Sequence, residues 1–134
     1  MILMKHIIRE GHKTLETVAS PVQLPLSQND KKLLKEMLEF IENSQDETLA
    51  TTYELRPAVG IAAPQLNVSK RMFAVYVHDL DGTPYRYALV NPELVHKSTE
   101  LIYLPGGEGC LSVDRETEGI TPRYKTVEMK ALSY

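Results

Sequence analysis

"RMFAVYVHDLDGTPYRYALV", residues 71 to 90, decides the fold class. Its two ends, 71–77 and 84–90, are rich in aromatic and β-branched residues, and Asp81-Gly82 between them is a dipeptide suited to a tight turn. The stretch therefore predicts a β-hairpin. Downstream, ELVHK (93–97) and ELIYL (100–104) are shorter strand candidates. In YKTVEMKAL (124–132), Val127, Met129 and Ala131 alternate with Glu128 and Lys130, the pattern of a half-buried strand.

Upstream of the hairpin the period changes. Leu33, Leu34, Met37, Leu38 and Ile41 recur at intervals of three and four, with Lys31, Lys32, Lys35, Glu36, Glu39 and Glu42 on the other face. This predicts a long helix opened by Ser27, with Asp30 three residues on as in a capping box. Ser44 followed by Glu47 signals a second, short helix that ends by Pro57. The first twenty-odd residues mix apolar pieces (Ile2 to Met4, Ile7, Ile8) with a stretch fit for one or two helical turns, and predict an arm lying on the domain. Helix comes first and sheet after, and the connections are too short for repeated crossover helices. The expected fold is α+β, a long N-terminal helix followed by mostly antiparallel strands, in one domain spanning 1–134.

Composition fits such a domain and excludes several functions. The chain has 134 residues, 43% hydrophobic and 25% charged, enough to close a core without disulfides or a structural metal. A single cysteine and the lack of a secretory leader pattern point to the cytoplasm. No apolar run approaches the roughly 20 residues of a membrane helix. Fifteen Lys and Arg stand against 18 Asp and Glu, a net charge of -3, with no basic block for nucleic acid or an acidic membrane.

Two loops carry chemistry. In AVGIAAPQ (58–65), Gly60, Ala62 and Ala63 let another backbone or a ligand come close, and Gln65 offers an amide donor and acceptor; a tight helix-to-strand crossing accounts for the same residues. In GGEGCLSVD (106–114), Cys110 is flanked by Gly106, Gly107 and Gly109. A lone cysteine is commonly a small buried hydrophobe, but that use needs no glycines around it. His6, His12, His78 and His96 show no metal-ligand spacing and fit surface or strand positions.

VGIAAPQ (59–65) followed by EGCLS (108–112) resembles the first two signature motifs of the peptide deformylases, and the likeness runs along the whole chain, most closely to the Gram-positive branch. The family is a metallohydrolase that removes the formyl group from the N-terminal formyl-methionine of new proteins. The resemblance implies that Cys110 is a thiolate ligand for Fe2+, with Zn2+, Ni2+ or Co2+ as alternatives. It implies that the Leu111 N–H and the Gln65 amide stabilise the oxygen of the attacked formyl group. Gly60 and Gly109 would lie against the substrate, Val59 and Ile61 would shape the methionine pocket, and Glu108 would brace the metal loop. The implied partner is the formyl-methionyl nascent peptide, at the ribosome, with no sequence-specific nucleic acid and no membrane.

Two departures stand out. Where the family usually has glycine two positions before Gly60, this sequence has Ala58, and a positive φ there would cost alanine about 1 kcal/mol. The family's third motif, His-Glu-x-x-His on a helix, which completes the metal site and supplies the general base, does not occur before Tyr134. The expectation is a domain incomplete at its C-terminus that binds metal poorly, is inactive by itself and exposes apolar sheet surface. Two other functions stay open: a non-catalytic relative that holds N-terminal methionine peptides, and a thiol sensor built on Cys110.

Overall fold

The three-and-four spacing after Ser27 becomes helix α1, Gln28–Gln45, in the computed structural model, which describes residues 1–134. The Ser27 hydroxyl accepts a hydrogen bond from the Asp30 N–H at 3.1 Å, so one of the four free amides at the helix start is satisfied. The apolar stripe is completely buried at Leu34, Met37, Phe40 and Ile41, each side chain contributing roughly 1.5–3 kcal/mol by leaving water. Asp30 sits in the first turn, itself buried, with its carboxylate 2.7 Å from Lys70 Nζ.

The short second helix, α2, runs Glu47–Thr52, but its cap is Asp46, whose carboxylate accepts from the Leu49 N–H at 2.9 Å. Ser44 belongs to α1 instead. It is buried, donates to the Ile41 carbonyl at 2.8 Å and accepts from the Ala58 N–H at 3.1 Å. A hydroxyl in the last turn of a helix bonds back to its own carbonyls more readily than it starts a new helix.

The strands are β1 (Gly60–Ala62), β2 (Met72–His78), β3 (Pro84–Lys97), β4 (Leu101–Ile102), β5 (Arg123–Tyr124) and β6 (Val127–Ser133). A four-stranded antiparallel sheet has the order β1-β2-β3-β6, and β4 and β5 form a separate pair. The α+β expectation holds, and so does the hairpin: Met72 faces Val90, and the register runs without slip to His78 opposite Pro84. The turn is longer than a two-residue one. The Gly82 N–H donates to the Asp79 carbonyl at 2.9 Å, the Asp79 N–H to that of Thr83 at 2.8 Å, and Gly82 has φ +85.

The second half of the hairpin and ELVHK form one strand. Pro92, which has no N–H, is accommodated by a register shift between Val90 and Glu93 and by Asn91 at φ +52. Asn91 also pins the N-terminal arm. Its Oδ1 accepts from the Val22 N–H at 2.7 Å and its Nδ2 donates to the Val22 carbonyl at 3.0 Å. The arm has two single 3₁₀ turns, Met4–His6 and Lys13–Glu16, and sends Ile2, Ile7 and Val22 into the core.

Two strand expectations need correction. ELIYL contributes only the two residues of β4, and β6 is not half-buried: Val127 is 50% and Met129 41% exposed. Their alternation faces solvent because no helix or further strand packs on this part of the sheet. No helix of the chain is long and apolar enough to cross a membrane.

Candidate active site

β1 is the free edge of the main sheet, and its pairing fixes which backbone groups look outward. The Tyr76 N–H donates to the Val59 carbonyl at 2.8 Å, so Val59 and Ile61 turn their backbone groups towards β2. In an antiparallel ladder the intervening residues turn theirs away. Gly60 thus presents an N–H and a C=O to solvent, and the Ala62 N–H, on the same side, is taken by Gln65 Oε1 at 3.0 Å. Gly60 is glycine for a reason of packing: a Cβ there would lie 3.3 Å from the Ala74 carbonyl oxygen and from Val75 Cγ1. Ala58 carries no strain, since it is not among the residues of positive φ, and its carbonyl is held by Gln45 Nε2 at 2.9 Å.

Gln65 stands in the 3₁₀ turn Ala63–Leu66 that follows β1. With Oε1 committed to Ala62, Nε2 points across to the thiol loop, 3.2 Å from Ser112 Oγ and 3.8 Å from Cys110 Sγ. These contacts bridge 45 and 47 residues of sequence without a strand pairing between the two loops. The loop is instead tied down by its neighbours: the Glu10 N–H donates to the Ser112 carbonyl at 2.8 Å, and Arg56 donates to the carbonyls of Cys110 at 2.7 Å and Val113 at 3.3 Å. Gly107, at φ +80, makes the turn that leads into the loop.

Cys110 is exposed and unpaired. Next to it Leu111 is buried, and its N–H makes no hydrogen bond within the chain. Buried amides nearly always find a partner, so this free donor beside the Gln65 amide is available to an acceptor from outside the chain. Val59, Gly60, Gln65, Gly109, Cys110 and Leu111 surround one groove of about 440 Å³. Ile61 does not line it: the side chain is 2% exposed, points into the core and reaches a second cleft on the sheet side of Gly60.

Glu108 lies just outside the groove, gripped by Arg123 from β5 with Nε at 2.8 and 2.9 Å from its two carboxylate oxygens. Those hydrogen bonds hold its pKa below the usual carboxylate range and raise that of Arg123. Sequence reasoning missed Arg56, Ser112 and Arg123. Only Arg56 had a visible signal, standing before Pro57 at the entry to the first loop.

The histidines lie elsewhere. His6 and His12 accept hydrogen bonds from the Leu3 and Thr14 N–H groups, His78 packs edge-on to Tyr76, and His96 is exposed on β3 opposite Glu128. No group of three His, Cys, Asp or Glu side chains is placed to hold a metal ion. A catalytic divalent ion takes three protein ligands and a water, so residues 1–134 do not by themselves fit such a site; they offer one soft ligand, Cys110.

The chain matches known proteins along nearly its whole length. The profile of the family described as Polypeptide deformylase matches residues 4–134. Peptide deformylase 2 of Bacillus cereus is 55% identical over 133 residues, which are 99% of this chain and 72% of that protein. The peptide deformylase of Oceanobacillus iheyensis is 52% identical over 131 residues, 98% and 72% of the two chains. Among solved structures, a class I type b peptide deformylase from Acinetobacter baumannii with Met-Ala-Ser bound superposes with a TM-score of 0.67 at 28% identity, covering 95% of this chain and 75% of that one. That of Ehrlichia chaffeensis, in complex with actinonin, gives 0.70 at 25% identity over 96% and 67%. With the family profile matching residues 4–134 and relatives of this closeness along nearly all its length, the chain belongs to the peptide deformylases, the hydrolases that remove the formyl group from N-terminal formyl-methionine.

Proposed function

We propose that the groove between β1 and the Cys110 loop holds the formylated N-terminus of a nascent protein, in the cytoplasm and near the ribosome. The peptide lies along β1 as an added strand, its backbone bonded to the outward N–H and C=O of Gly60. Val59, at the mouth of the groove, shapes the space for the methionine side chain with buried Ile61 behind it in the core, and Gly109 leaves the opposite wall low. The formyl oxygen lies between Gln65 Nε2 and the Leu111 N–H. As water or hydroxide adds to the formyl carbon, that oxygen gains negative charge, and two donors fixed beforehand stabilise it without rearrangement.

The observation that carries the reading is the unpartnered N–H of buried Leu111 beside a glutamine whose Oε1 is already committed. The family depends on a metal. In this reading Cys110 is one ligand, and Fe2+ the ion, with Zn2+, Ni2+ and Co2+ as substitutes. Titration of the chain with formyl-Met-Ala-Ser tests the site: Gln65→Ala weakens binding roughly tenfold, the value of one hydrogen bond to a polar group with little competing water. Equal affinity in the variant would contradict the placement of the formyl oxygen.

A second reading is favoured by the single metal donor. The same groove can hold N-terminal methionine peptides without turning them over. Two measurements separate them. Formate release from formyl-Met-Ala-Ser with Fe2+ under exclusion of air, lost in Cys110→Ala, or a preference for the formylated peptide belongs to the hydrolase site. Equal or tighter binding of unformylated Met-Ala-Ser without formate release belongs to the peptide binder.

A further inference from the structure

We propose that Arg56 is a positioning residue: it sets the direction of the Leu111 N–H by holding the carbonyl of the same peptide unit. The inference rests on the reading of Leu111 as a donor to the formyl oxygen.

A trans peptide is planar, and its C=O and N–H point in opposite directions. Whatever fixes the carbonyl of Cys110 therefore aims the N–H of Leu111. That carbonyl receives two donors, the Val113 N–H at 3.0 Å, which closes a local turn, and Arg56 Nη2 at 2.7 Å. The turn alone fixes the loop's internal shape. Arg56 relates that shape to the rest of the site, because it stands two residues before Ala58 in the loop that leads to Gly60 and Gln65.

The grip is planar and multiple. Nη1 and Nη2 both reach the Val113 carbonyl at 3.3 Å, and Nη1 lies 3.2 Å from Asp114 Oδ1. The other Asp114 oxygen accepts from Arg9 Nε at 3.0 Å, and Arg9 in turn is bonded to the carbonyls of Ile7 at 2.5 Å and Met4 at 3.3 Å. Arm, first loop and thiol loop are joined through two guanidinium groups and one carboxylate. Such a fork has few orientations, whereas an ammonium would hold one oxygen at a time. Pro57 restricts the backbone of Arg56 to extended conformations, so the side chain starts from a fixed base.

Affinities for formyl-Met-Ala-Ser and for Met-Ala-Ser test this in the wild-type chain, Arg56→Ala and Arg56→Lys, alongside backbone amide spectra. Both peptides use the Gly60 edge, but only the first places an oxygen at Leu111. Arg56→Ala is expected to lose the preference for the formylated peptide, roughly tenfold, while Met-Ala-Ser binding stays within about twofold. Amide signals of residues 110–114 shift and those of β2 and β3 do not. Arg56→Lys restores part of the preference.

A preference unchanged in Arg56→Ala overturns the proposal. Equal loss of both peptides also overturns it, since it marks a general support of the fold. A wild-type chain that binds both peptides alike overturns the reading of the site and this inference with it. Loss of the preference in Gln65→Ala but not in Arg56→Ala leaves the reading standing and removes Arg56 from it.

Discussion

β2 and β6 are both seven-residue strands in the same sheet with an apolar residue at every second position along one face, yet one is part of a core and the other is not. On β2, Met72 and Ala74 are buried under α1, while on β6 every residue except Ala131 is exposed. After Val90 only Leu111 and Ser112 are fully buried, the rest being half-buried or exposed. The difference teaches that alternation in a strand specifies a face and leaves open whether anything lies on that face. Leu111 and Ser112 are the exceptions because the arm and the first loop close over them, which joins the site to the well-packed part of the molecule.

This contrast can be broken at several points. The largest effect is expected for Phe40→Ala, which empties a completely buried position: about 3–5 kcal/mol lost in urea unfolding, against about 0.5 kcal/mol or less for Met129→Thr on β6. Comparable losses at both would mean that the outer strand is packed in solution. Next comes Ser27→Ala, which removes the cap of α1 and is expected to cost about 1 kcal/mol in the same assay. Hydrogen exchange should give the strongest protection in α1 and in the paired part of β2 and β3, and little in β4 and β5.

The smallest effect is set by pH. Arg123 lowers the pKa of Glu108, so the ion pair contributes its stability above the ordinary carboxylate range, and that contribution disappears as pH falls through the lowered folded-state value. Arg123 is exposed and Glu108 only half-buried, so the gain is small. Amides of residues 104–110 should exchange faster in acid once correction is made for the intrinsic rate, and Glu108→Gln should remove that pH dependence. A dependence that survives in Glu108→Gln would assign it to another group.

Much of the fold was legible in the sequence. The helix after Ser27, the hairpin of 71–90 and its antiparallel register follow from periodicity, capping and turn chemistry, which act over a few residues. The exposure of β6 was not legible from its own pattern, since burial depends on what packs against it. Ser44 and Asp46, two positions apart, are both residue types suited to cap a helix, and the Glu three residues after Ser44 favours the wrong one. Cys110, Gln65 and Gly60 stood out through residue type and motif. Arg56, Ser112 and Arg123 did not, because their roles depend on contacts across 15 to 57 residues of chain, which no local spacing encodes.

The central claim is that the two loops meet so that Gln65 Nε2 and the Leu111 N–H share one oxygen beside Cys110. A crystal structure of the chain with formyl-Met-Ala-Ser tests it most directly. The account requires the formyl oxygen within hydrogen-bond distance of both donors and the peptide paired with Gly60 at the β1 edge. A peptide held elsewhere, or a formyl group turned away from Leu111, would contradict it.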